Sequence, residues 1–156
     1  MKNFFVIIVL GILFSGNAYA ELNGVKEFYL EVRHSGTKMR CTGPSYNSEI
    51  EINAKYLLSS TNIKLSKTMK SEFLKIYVFT NGNEKKRLCA STIKLSTYSV
   101  GYIKNFSGHK FVGEKVSYNK EKLVISNKRS EHKDEVIKTI DLMLKKFVVD
   151  WNDLSK

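Results

Sequence analysis

The end of the chain restricts the architecture more than any other part of it. Val136, Ile140, Met143, Phe147, Trp151 and Leu154 recur at steps of three and four, and Ile137, Leu144 and Val148 widen the same stripe. That period places them on one face of an α-helix, expected over about Glu131 to Leu154. Ser130 stands where it can cap the helix, and Asp134 and Glu135 lie where the helix dipole favours negative charge. A long helix with a single apolar face gains most of its stability from what it packs on. The rest of the chain must therefore supply an apolar surface of matching length.

The upstream pattern supplies strands. From Val25 to Arg33, Phe28, Leu30 and Val32 alternate with Tyr29, Glu31 and Arg33, the signature of a half-buried strand. Thr42-Gly43-Pro44 breaks the chain. Ser48-Glu49-Ile50-Glu51 has the form of a capping box, and Ile50, Ala54, Leu57 and Leu58 follow at helical spacing up to about Asn62. Ile63 to Leu65 reads as a short strand and Phe73 to Thr80 as a longer one, rich in aromatic and β-branched residues. Asn81-Gly82 suits a hairpin turn. The returning strand is expected from about Arg87 to Ile103, with a bulge near Ser96-Thr97 where the alternation changes phase. Lys110 to Tyr118 and Lys122 to Ser126 read as two final strands joined at Asn119-Lys120. Neither repeats nor linkers interrupt the chain. The order strand, helix, strands, helix predicts a single α+β domain over residues 21–156. Its form is an antiparallel twisted sheet of about five strands with two helices packed on one face.

The N-terminus reads as an address. Lys2 precedes an apolar run from Phe4 to Phe14, and Ala18-Tyr19-Ala20 forms a small-x-small cleavage site. This is the pattern of a removable secretory signal peptide over residues 1–20, with an apolar run too short to cross a bilayer. No cysteine lies near the cut to accept a lipid anchor, and no second apolar stretch approaches membrane length. The expected location is periplasmic or secreted. In such an oxidising compartment Cys41 and Cys89, the only two cysteines, are expected to pair.

Charge and chemistry narrow the function classes. The chain carries 26 basic and 15 acidic residues, and only four of the basic ones are arginines, Arg33, Arg40, Arg87 and Arg129. Bidentate phosphate reading favours arginine, so nucleic acid is not the expected partner. The positive charge is concentrated. Residues 21–129 carry a net +11, whereas the terminal helical segment from Ser130 onward carries −1. There is no G-x-S-x-G, no H-E-x-x-H and no phosphate-binding loop. His34, His109 and His132 are scattered, without metal-ligand spacing. No cofactor or metal is expected.

The reading is therefore a non-enzymatic envelope or secreted accessory protein that contacts an anionic envelope component or a protein partner. Two surfaces are candidates. One is the basic aromatic stretch containing Lys104, Phe106, Lys110, Phe111 and Lys115. The other is the side of the sheet facing away from the helices. If Leu74, Ile76 and Val78 face the helices, then Lys75 and Tyr77 face away, and Tyr29 joins them from the first strand. Lysine beside an aromatic ring suits anionic amphiphiles or glycans. An alternative is an inhibitor or immunity-type protein that inserts the 105–113 loop into an enzyme. The remaining alternative, a hydrolase, needs a site assembled from distant residues.

Cleavage after Ala20 predicts Glu21 as the first residue of the exported protein. Intact mass spectrometry checks this, and an exported chain retaining residues 1–20 would overturn it.

Overall fold

The structure, a computed structural model, describes residues 25, 27–36, 41–43, 46–69, 72–83, 88–104 and 107–154. The expected signal segment lies outside the described residues. Seven elements follow in order: β1 (Glu27–Gly36), α1 (Tyr46–Ser59), β2 (Lys64–Ser66), β3 (Glu72–Asn83), β4 (Leu88–Lys104), β5 (Lys110–Ser126) and α2 (Arg129–Leu154). The strands form one sheet in the order β2-β1-β3-β4-β5.

The sheet is mixed, not antiparallel throughout. β1 runs parallel to β2, with Phe28 opposite Leu65, and parallel to β3, with Leu30 opposite Leu74. The cause is α1. A helix between two strands carries the chain back to its starting end, so the next strand runs in the same direction. Among the described residues only the β3–β4 and β4–β5 pairs are antiparallel.

Both helices lie on one side of the sheet. Phe28, Leu30, Leu74, Ile76, Val78, Ile93 and Leu95 point toward them and are buried. From α1 they meet Ile50, Ala54 and Leu58. From α2 they meet the expected stripe, Val136, Ile140, Met143, Leu144, Phe147 and Trp151. Phe147 is the hub. Its ring lies 6.1 Å from Phe28, 5.1 Å from Tyr118 and 6.2 Å from Trp151. Burying one such ring stabilises a fold by about 1.5–3 kcal/mol relative to leaving it in water.

Several local details depart from expectation. α1 begins at Tyr46, so Ser48 and Glu51 lie inside the helix and form no capping box. Glu51 instead accepts a bond from Lys55 Nζ one turn on, at 2.6 Å. The stop is as expected in kind: the hydroxyls of Ser59, Ser60 and Thr61 bond the carbonyls of Tyr56, Leu57 and Leu58 at 2.7, 2.8 and 2.7 Å. Similarly, α2 begins at Arg129, one residue before the expected cap. Asn81-Gly82 makes no turn; both residues stay in β3, opposite Ala90 and Cys89. β5 is one strand of 17 residues, not two. Asn119 and Lys120 pair with Ser96 and Leu95 inside it. The change of phase in β4 is no slip either, because its ladder with β3 runs unbroken. Ile93 and Leu95 face the helices, whereas Tyr98 faces the other way to meet Phe73. The bulge is real but sits on β5. Thr97 pairs with Tyr118 and Tyr98 with Val116, leaving Ser117 as the extra residue.

Cys41 and Cys89 are bonded, with Cα atoms 5.9 Å apart. The bond ties the connection after β1 to the start of β4. Before it, Gly36 ends β1 at φ 95°, and a side chain there would collide with the Thr80 carbonyl. Glycine alone accepts both conditions. The bonded cysteines are 48 residues apart, a closure for which chain entropy gives about 4 kcal/mol. Reduction is therefore predicted to lower the unfolding free energy by about 4 kcal/mol. Urea denaturation with and without reductant measures it; identical curves would show that the bond contributes nothing.

Candidate functional site

With both helices on one side, the opposite side of the sheet is open among the described residues. Strand alternation puts Tyr29, Glu31 and Arg33 of β1 there. They stand beside Phe73, Lys75, Tyr77 and Phe79 of β3, then Thr92, Lys94, Ser96 and Tyr98 of β4. Three rings make a ladder across the strands. Tyr29 meets Phe73 edge-on at 5.8 Å, and Phe73 stacks flat on Tyr98 at 4.7 Å with an interplanar angle of 1°. Cross-strand aromatic pairs of this kind contribute roughly 0.2–1 kcal/mol each.

A polar cluster is attached to the ladder. Tyr98 Oη donates to Glu31 Oε2 at 2.9 Å, Lys75 Nζ lies 3.5 Å from the same oxygen, and Arg33 closes on Oε1. Lys75 also sits 5.7 Å above the Tyr98 ring. Burial alone would raise the Glu31 carboxyl, but the Tyr98 hydroxyl and the Lys75 and Arg33 charges outweigh it and hold the group below its ordinary range. The Tyr98 phenol moves the other way, pushed up to about 12 by burial and then by its bond to Glu31. At neutral pH the cluster is therefore an ionised carboxylate held by a neutral phenol and two cations. Beside it, Lys75, Tyr77, Lys94, Ser96, Tyr98, Glu114 and Val116 line a shallow concavity of about 290 Å³. Lysines, phenols and a hydroxyl around a shallow floor suit an anion attached to an apolar or ring-shaped body.

The residues expected at a site do not all converge. Tyr29, Lys75 and Tyr77 share the open face. Tyr77 accepts or donates one bond there, with Ser35 Oγ at 2.6 Å. Lys115 pairs with Ser99, which places it on the helix side of the sheet. Lys104 pairs with Lys110 at the far end of the β4–β5 hairpin, and Phe111 pairs with Ile103. Phe106 lies outside the described residues. Residues 110–113 belong to β5, so the 105–113 segment is the end of a hairpin and only its first part lies between strands. Sequence reasoning missed Lys94, Ser96, Tyr98, Glu114 and Val116. For Lys94, Ser96 and Tyr98 the signal was the alternation of β4 read against the Phe73–Tyr98 register. Glu114 and Val116 of β5 reach the face only through the β4–β5 register past its bulge.

A second polar feature lies inside the fold. His34 Nε2 meets Thr80 Oγ1 at 2.8 Å, Thr80 meets Ser91 Oγ at 2.7 Å, and Ser91 meets His132 Nε2 at 2.8 Å. His132 Nδ1 then meets Ser126 Oγ at 2.9 Å, and Ser126 donates to Glu135. The string contains hydroxyls, imidazoles and a carboxylate, the groups of a hydrolase. His132, Ser91 and Thr80 are each 0% exposed, out of contact with solvent. Its evident work is to satisfy polar groups under the disulfide-bonded end of the sheet. Burial pushes the His132 imidazole below its ordinary range, and the Glu135 charge offsets only part of that. Among the described residues no cluster of three or more histidine, cysteine or acidic side chains could hold a metal.

No protein-family model and no curated protein matches the chain. Among solved structures it is similar to a minor lipoprotein from Acinetobacter baumannii, at 15% identity and a TM-score of 0.38, over 86% of this chain and 97% of that one. A likeness that loose carries no argument about function.

The buried imidazole predicts a pH dependence. With a folded value below the unfolded 6.5, the unfolded chain binds the proton more readily, so stability is lost as pH falls below about 6.5. His132→Gln is expected to cost about 1–3 kcal/mol at neutral pH, through unpaired hydroxyls, and to flatten the acid-side loss. Urea titrations at neutral and mildly acidic pH test this. Equal slopes in the two proteins would contradict it.

Proposed function

We propose that this is an exported, non-enzymatic accessory protein of the bacterial envelope that binds an anionic envelope component on the open face of its sheet. One observation carries the reading: the side of the sheet away from the helices is uncovered among the described residues and interleaves lysines with aromatic rings around a shallow concavity. Around it stand exposed apolar side chains of the same face. Phe79 is 45% exposed, Val116 55% and Leu123 64%. An exposed apolar area rimmed by charge marks an interaction surface more often than chance.

Export is supported by the leader pattern of residues 1–20 and by the Cys41–Cys89 bond, which persists in oxidising compartments. The uneven charge supports an anionic ligand, since the sheet segments carry the positive excess and the terminal helix does not. Lysine provides point charge without bidentate geometry, which fits a ligand class with variable anion spacing, such as lipid head groups or an acidic polymer.

The test is binding to lipopolysaccharide, anionic lipid vesicles and peptidoglycan at low and high salt. Lys75→Glu with Lys94→Glu is expected to weaken binding at least about tenfold at low salt, or about 1.4 kcal/mol. The loss should shrink at about 1 M salt, where screening acts over about 3 Å. Phe79→Ala should weaken binding at both salt levels, because apolar contact is not screened in that way. Absence of any salt-sensitive ligand, or binding indifferent to all three substitutions, would overturn the reading.

A further inference from the structure

A second surface lies on the helix side, at the free edge of the sheet. β5 ends the strand order, and among the described residues nothing pairs with its outer edge. Between this edge and α2 runs a groove of about 660 Å³, lined by Tyr118, Lys120, Lys122, Leu142, Met143 and Lys146. A strand edge beside a helix is the geometry in which an extended segment adds to a sheet. The main chain gives such a segment its affinity, and side-chain pockets at alternate positions give it specificity.

The chemistry of the groove selects its occupant. Register puts Lys120 and Lys122 on the helix side of β5, opposite Leu95 and Ile93. Lys146 approaches from α2 but is paired with Asp150 at 3.1 Å, and Glu121 also borders the groove, so the positive excess rests on Lys120 and Lys122. On the other side of the same strand, Leu123 is 64% exposed and Ile125 56%. An added strand shares these two faces residue by residue. Over Lys120–Ile125 its helix-side positions neighbour Lys120 and Lys122, and its other positions neighbour Glu121 and then the exposed Leu123 and Ile125. A second copy of this chain is disfavoured in the symmetric register centred on Glu121. Antiparallel pairing of two β5 edges about Glu121 sets Glu121 against Glu121 and Lys120 against Lys122, and like charges directly opposite are destabilising. Edge lysines are a common guard against self-pairing, and here the same guard favours an acidic guest.

We propose that the β5–α2 groove takes up an extended peptide segment with acidic and apolar residues in alternation, added as a sixth strand along Lys120–Ile125. This surface is separate from the open face and does not depend on what binds there.

The experiment uses the disulfide-bonded protein and a fluorescent peptide alternating Glu and Val, with its Lys–Val counterpart as control. The Glu–Val peptide should bind saturably and the Lys–Val peptide at least tenfold more weakly. Lys120→Glu with Lys122→Glu should reverse that preference. Lys122→Glu alone, at an exposed position, should weaken Glu–Val binding severalfold with the melting temperature unchanged. Amide hydrogens within 120–125 should gain exchange protection on binding. The proposal is overturned if neither peptide binds, if both bind equally, or if protection appears elsewhere. It is also overturned if laurate displaces the peptide and the groove proves to hold a fatty chain, or if sedimentation shows a dimer that the peptide dissociates.

Discussion

The burial of one helix stripe on one side of a sheet governs the rest of this structure. Phe147, Trp151, Leu144 and Val136 of α2 close over Phe28, Ile76, Ile93 and Tyr118, and α1 fills the remaining area through Ile50, Ala54 and Leu58. Because both helices are spent on the same side, the other side depends on its own side chains for cover. It has a ring ladder, Tyr29, Phe73 and Tyr98, and a carboxylate held by a phenol and two cations. That arrangement stiffens the surface without sealing it. The open face and the shallow concavity are thus consequences of the packing scheme.

The disulfide acts at the opposite end of the same scheme. β1 must leave the sheet, form α1 and return parallel to itself, which makes the early part of the chain rich in non-local contacts. Such contacts require loop closure before they repay it. Cys41–Cys89 fixes this connection to β4, and the hydroxyl–imidazole string from His34 to Ser126 satisfies the polar groups beneath it. A buried polar string is tolerated only when its members are bonded. Here its members are bonded to one another, and the buried, neutral form of His132 is the one the fold favours.

Much of this was legible in the sequence. The α2 stripe, the alternation of β1 and β3, and the cysteine pair each carry a local period or a chemical rule that needs no partner to be read. Parallel pairing was not legible in that way, because strand direction depends on where α1 delivers the chain. Asn119-Lys120 reads as a turn between two strands, yet Lys120 and Lys122 both sit on the inward side of one continuous strand. They are possible because β5 is the edge and α2 leaves room beside it. Tyr98 read as a register slip because apolar residues there change from the helix side to the ring ladder. Of the open face, Tyr29, Lys75 and Tyr77 followed from alternation alone. Lys94, Ser96 and Glu114 needed the β3–β4–β5 register, which periodicity does not contain.

The side of the sheet that meets the ligand decides whether the open face is the binding surface. Lysine acylation followed by peptide mass spectrometry, with and without anionic vesicles or lipopolysaccharide, reads this directly. Lys75 and Lys94 should lose reactivity when the ligand is present, while Lys133, Lys138 and Lys145 on α2 keep theirs. Protection confined to the α2 lysines, with Lys75 and Lys94 unchanged, would contradict the assignment of the open face as the binding surface.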